Sequence, residues 1–102
     1  MKIIVITLAA ACFAVAGVAH ASEKLAQASG CTACHSVDKK LVGPSYNEVA
    51  AKYRGNKGAE GELIKKVKAG GKGVWGDIPM SPNAHVKDED IRTLVQWILS
   101  LK

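Results

Sequence analysis

Two thiols and an imidazole fall within five residues of this 102-residue chain, Cys31-Thr-Ala-Cys34-His35. No other feature constrains the fold as much, because it commits three reactive groups to about one turn of backbone. What they do depends on the compartment, since paired cysteines serve different ends inside and outside the cytoplasm. The N-terminus speaks to that. Lys2 is the only charge before an apolar run from Ile3 to Ala19; Ala19 and Ala21 then flank His20, and Ser22 and Glu23 follow. A positive start, an apolar stretch and an A-x-A site make a secretory signal peptide. The run is only about as long as the shortest membrane-spanning helices, so cleavage after Ala21 is expected, with a retained anchor as the lesser alternative. Cys12 lies too early in the apolar run for lipidation.

Residues 22–102 then form one domain of 81 residues. Losing Lys2 lowers the fourteen basic residues to thirteen against nine acidic, a formal +4; two cysteines and one methionine remain. A domain this small hides only about 60–65% of its unfolded surface. Such domains usually need a disulfide, a metal or a cofactor to complete the interior.

Four helical segments can be read and no strand. The first runs from Ser22, a candidate N-cap, to Ser29 before Gly30. The second begins at Ser45, three residues before Glu48, the S-x-x-E capping box, and ends at Gly55. The third covers Glu60 to Ala69, with Glu60 and Glu62 at its positive end and Lys65, Lys66 and Lys68 at its negative end. The last, Asp88 to Leu101, repeats Ile91, Leu94, Val95, Ile98 and Leu101 at the spacing of one buried face, flanked by Trp97. Between the last two lies GGKGVWGDIPMSPNAH, whose glycines and prolines exclude a regular element. The fold class is all-α.

Three chemistries use a Cys-x-x-Cys-His cluster. Dithiol redox normally comes with alternating strands and helices, which this chain lacks. Zinc seldom takes ligands from adjacent residues such as Cys34 and His35, and no second cysteine pair exists. Covalent haem attachment has this motif as its signature: two thiols bond the two vinyl groups, and the histidine comes up beneath the iron. With the signal peptide and the small core, haem c is the favoured cofactor.

Iron held by His35 has a second axial position. Met80 is the one methionine of residues 22–102, and Pro79 and Pro82 restrict the backbone on either side of it. Methionine is more often a filler of core gaps, but core methionines sit on helix or strand faces. His85, just before the acidic start of the last helix, is the competing donor. Met80 is the expected sixth ligand, and a His/Met pair raises the reduction potential relative to two histidines.

With these blocks in place, the chain resembles the class I c-type cytochromes, the short soluble bacterial kind that carries electrons to nitrite reductases and terminal oxidases. The likeness spans residues 22–102 and rests on Cys31–His35, on VGPSY at 42–46, on GVWGDIPMSPN at 73–83 and on the Trp97 helix. The resemblance implies the cytochrome c fold, four short helices wrapped around one covalently attached haem, with the first and last helices crossing at Ala26 and Ala28. It implies that the Pro44 carbonyl accepts a hydrogen bond from the His35 imidazole. It further implies that the Asn83 amide contacts the Met80 sulfur and that the Trp75 indole reaches a haem propionate. Cys31, Cys34, His35, Met80, Pro44, Trp75 and Asn83 are then the cofactor-binding set, with His35 and Met80 on the metal.

The lysines form no nucleic-acid motif, because no aromatics are interleaved with them. Lys52, Lys57, Lys65 and Lys68 read as a solvated face, whereas Lys39, Lys40 and Lys72 flank the haem-binding blocks and would ring the haem edge. Such a ring steers acidic-surfaced redox partners, here a reductase, an oxidase or a nitrite reductase, and does so less at high salt. The expectation is a monomeric periplasmic electron carrier, not an enzyme, without stable membrane insertion after cleavage. The alternative is a haem-based sensor or peroxidase-like protein with a labile sixth ligand.

Overall fold

A computed structural model describes residues 16–102, with side chains from residue 21 onward. The apolar run from Ile3 and the Cys12 position lie outside the described residues, save for the end of that run. Among the described residues there are four helices: α1 (Ala16–Ala28), α2 (Tyr46–Tyr53), α3 (Ala59–Ala69) and α4 (Asp88–Ser100), with a 3₁₀ turn at Cys31–Ala33 and no strand. Two isolated antiparallel bridges, His35 with Lys40 and Gly71 with Met80, close the loops.

The boundaries follow local chemistry. The Ser45 hydroxyl accepts from the Glu48 N–H at 3.1 Å, so the forward half of the capping box forms. Three acidic residues occupy the first turn of α4, and α3 carries Glu60 and Glu62 at its start and Lys66 and Lys68 at its end. Each arrangement opposes charge to the helix dipole. One expectation fails. Ser22 is no N-cap, because α1 runs on through Ala21 to Ala16 and leaves Ser22 inside the helix, buried. The alanine-rich residues before it favour helix, so the sequence offers no break there.

α4 is the spine, packing against α1, α2 and α3. Its Ile91 and Val95, one turn apart, join Tyr53, Ala59, Leu63 and Val86 in one apolar cluster. Its Leu94 and Trp97 join Ala26 and Tyr46 in the other. Trp97 therefore sits in the core, deeper than a flanking position. α1 meets α4 through Ala26, whose small side chain allows the approach, while Ala28 faces solvent. The interior is thus two clusters on one helix, and the functional loops close across α2 and α3.

Candidate functional site

The Cys31–Ala33 turn is a tight i to i+3 coil. The N–H groups of Cys34 and His35 both donate to the Cys31 carbonyl, at 3.1 and 3.0 Å. This brings Cys31, half-buried against the Ala26–Trp97 cluster, and the exposed Cys34 to successive faces of one short turn. Both are free thiols. Burial pushes the Cys31 thiol up, with a smaller upward push from Cys34.

The chain after His35 is pinned residue by residue. Gly43 N–H donates to the Cys34 carbonyl at 2.8 Å, Tyr46 N–H to Ser36 at 2.9 Å and Asn47 N–H to Val37 at 3.0 Å. Within that frame the His35 Nδ1 lies 2.7 Å from the Pro44 carbonyl oxygen. A carbonyl can only accept, so Nδ1 carries the proton and Nε2 keeps its lone pair for a metal. Bonds of this kind fix a ligand's tautomer and ring orientation. The Tyr46 ring stacks on the imidazole at 5.6 Å and meets Trp97 edge-on at 5.3 Å. The Tyr46 hydroxyl is buried with no hydrogen-bond partner among the described residues. Burial, aided by Cys31, pushes it up to about 12.

Met80 sits at the foot of the second loop. Its N–H donates to the Gly71 carbonyl at 2.7 Å and its carbonyl accepts from the Gly71 N–H at 3.1 Å, so residues 71–80 close as a ring. Gly70 makes that closure possible: it has φ +75°, and a Cβ there would lie 2.5 Å from the Met80 carbonyl oxygen. After Met80, the Asn83 N–H donates to the Val67 and Lys68 carbonyls at 3.1 and 3.2 Å. The loop is thereby tied to the C-terminal turn of α3.

Two of the side chains in the implied cofactor-binding set make protein contacts of their own. The Asn83 amide donates to the Val67 and Ser81 carbonyls at 3.1 and 3.2 Å, which ties it to the end of α3 and to its own loop. Trp75 is 39% exposed, and the Lys52 ammonium lies 5.5 Å from its ring centroid. Lys52 is therefore more than a solvated lysine. So is Lys68, which donates to the Val86 carbonyl at 2.7 Å and pairs with Asp88 at 2.8 Å. This clasp joins the end of α3 to the start of α4, and it holds the Asp88 carboxyl below its ordinary range. His85 is exposed. Gly43 and Tyr46 fall in the VGPSY block, but the sequence assigns them no contact with His35, and Lys68 reads there as a solvated lysine. Only the placement of Gly43 and Tyr46 beside Pro44 could have pointed to them.

The residues fit a porphyrin with axially ligated iron. Two free thiols lie on one turn, one imidazole nitrogen is free and oriented, and a thioether sits on a locked loop. Among the described residues, the large apolar side chains left exposed are Leu41, Val42, Val74, Trp75 and Ile78. Exposed apolar residues are ordinary when scattered, but these five fall on the loops that carry His35 and Met80, where an apolar macrocycle would cover them. Zinc fits poorly, because among the described residues no three His, Cys, Asp or Glu groups converge to hold an ion.

Comparison with known proteins agrees. The family model for cytochrome c matches residues 19–102. Cytochrome c-551 of Allochromatium vinosum is 61% identical over 77 residues, covering 76% of this chain and 82% of its own. Cytochrome c-552 of Nitrosomonas europaea is 48% identical over 96 residues, covering 94% of this chain and 93% of its own. The crystal structure of the wild-type Nitrosomonas europaea cytochrome c552 superposes with a TM-score of 0.76 at 48% identity, over 78% of this chain and 99% of that one.

Proposed function

This chain belongs to the cytochrome c family, and on that premise we propose that it shuttles electrons between respiratory proteins of the periplasm with His35 and Met80 as axial ligands. Haem c is held covalently through Cys31 and Cys34, and the protein's work is electron transfer rather than substrate turnover. When bound, haem c supplies a one-electron ferric/ferrous couple. The chain's own residues bind it, orient it and limit reorganisation around it.

The observation that supports the ligand assignment best is the His35–Pro44 bond of 2.7 Å, which spends Nδ1 and leaves Nε2 as the donor. Met80, on a loop closed on Gly71, would supply a thioether as the second ligand. A ligand whose backbone is already held loses less freedom when it ligates, and a filled sixth position would keep external ligands out. Pro44 orients the imidazole, Asn83 ties down the loop beyond Met80, and Trp75, with Lys52 over its face, ties the middle of that loop to α2. Residues 1–21 act as the signal peptide that exports the chain; among the described residues no helix is long and apolar enough to cross a membrane.

Carbon monoxide tests the sixth ligand. The ferrous wild type is expected to exclude it and Met80→Ala to bind it; binding by the wild type would instead favour a sensor with a labile sixth site. Lys39, Lys40 and Lys72 are exposed and supply the positive rim that attracts acidic partners. Reduction by an acidic redox protein should slow as ionic strength rises, and a salt-indifferent rate would remove that part of the reading. The carrier works as a monomer, which sedimentation at micromolar concentration checks.

A further inference from the structure

A Cβ built on Gly43 would lie 2.5 Å from His35 Cε1, 2.9 Å from Nδ1 and 3.2 Å from Nε2, and these are its three nearest neighbours. The glycine is not needed for its backbone: Gly30, Gly55, Gly70, Gly73 and Gly76 are the glycines with positive φ, and Gly43 is not among them. An alanine could adopt its conformation. What glycine supplies here is room for one ring.

Neither side of that contact can retreat. The Gly43 N–H is bonded to the Cys34 carbonyl at 2.8 Å and its carbonyl accepts from Leu41 N–H at 3.1 Å. The imidazole is held by Nδ1 on Pro44 at 2.7 Å and stacked on Tyr46 at 5.6 Å. A methyl group under 3 Å from Cε1 therefore has to turn or tilt the ring, and tilting moves Nε2, the atom aimed at the metal.

We propose that Gly43 is a positioning residue for the proximal ligand, the bare Cα against which the His35 ring is seated and its Nε2 aimed. This rests on His35 being an axial ligand, as read above. The seat is steric, and it complements the Pro44 bond: Pro44 fixes which nitrogen faces the iron, and Gly43 fixes the plane in which it does so.

The test is Gly43→Ala in the haem-loaded protein, with Gly61→Ala as reference. Gly61 lies within α3, away from both ligand loops, with no positive φ and nothing within 4 Å of its Cβ, so that variant adds the same methyl group without a steric neighbour. The readouts are the low-spin ferric spectrum, the paramagnetically shifted imidazole proton resonances and the midpoint potential. Gly43→Ala should displace the imidazole resonances, add a high-spin component and shift the potential, all by more than Gly61→Ala. A ferric spectrum, resonances and potential matching those of the wild type would overturn the proposal, even if thermal stability fell. Should Gly43→Ala load no haem, it is placed in a His35→Met background, whose flexible thioether has no ring to strike. Loading there supports the seat, and failure there, with His35→Met alone loading, overturns it. The ligand reading fails separately, if the wild type itself lacks a low-spin spectrum.

Discussion

Removing the Asn83 amide distinguishes two roles for that residue. In the structure the side chain donates to the Val67 carbonyl, in a part-buried position, and to the Ser81 carbonyl, in an exposed one. Asn83→Ala deletes both bonds and leaves the backbone N–H bonds to Val67 and Lys68 intact. A net hydrogen bond contributes about 0.5–1.5 kcal/mol, with the exposed bond at the low end because water replaces it, so the loss is about 1–2 kcal/mol. It falls on the segment that anchors Met80 to α3 and not on the apolar clusters. The state with Met80 detached should therefore become roughly 5–30 times more populated, the ratio that 1–2 kcal/mol implies. The assay is a guanidinium titration of the ferric protein, followed in parallel by the far-red sulfur-to-iron band and by circular dichroism at the helical minimum. Loss of the band should move to lower denaturant by that amount, while helix loss moves less. An unmoved band midpoint with an altered band position would refute the reasoning, because it would mean that the amide touches the sulfur and the loop does not depend on it.

Ile91→Ala removes a fully buried side chain from the cluster that joins α2, α3 and α4, and it should destabilise the protein by about 2–5 kcal/mol. For a domain of this size each kcal/mol moves the melting temperature by roughly 4–8 °C, and a shift of only a few degrees in thermal circular dichroism would show that the cluster is not closed as described. Asp88 gives a pH test. Lys68, by hydrogen bond and then by charge, lowers the carboxyl's folded pKa. Stability from the pair is therefore full above the ordinary carboxylate range and is lost as pH falls through the lowered value. The melting temperature of the wild type should exceed that of Asp88→Asn at neutral pH, converge with it in acid, and do so by less at high salt because Asp88 is exposed. A gap independent of pH would contradict the pairing.

Much of this was legible because the helices obey local rules. The period of Ile91, Leu94 and Val95 marks α4 without any tertiary information, and Ser45 before Glu48 marks the start of α2. The start of α1 was not legible, since Ser22 is a good cap in isolation and only the alanine-rich residues ahead of it carry the helix past. At the site, the Cys31–His35 motif and the lone Met80 stand out by spacing and scarcity. Lys68 and Lys52 do not, because an ion-pairing lysine and a solvated one look alike until α3 meets α4 or a loop folds over α2. Gly43 is hidden for a different reason: its importance is a distance to an imidazole eight residues earlier, and no periodicity encodes that.

The central claim is that Cys31 and Cys34 hold haem covalently while His35 and Met80 ligate its iron. The most direct measurement is an absorption spectrum of the exported protein, oxidised and reduced, before and after acid–organic extraction, beside that of Met80→Ala. The account predicts haem that stays with the chain, a sharp low-spin reduced spectrum, and a weak far-red band in the ferric wild type that Met80→Ala abolishes. Haem that extracts, or a far-red band that survives in Met80→Ala, would contradict it.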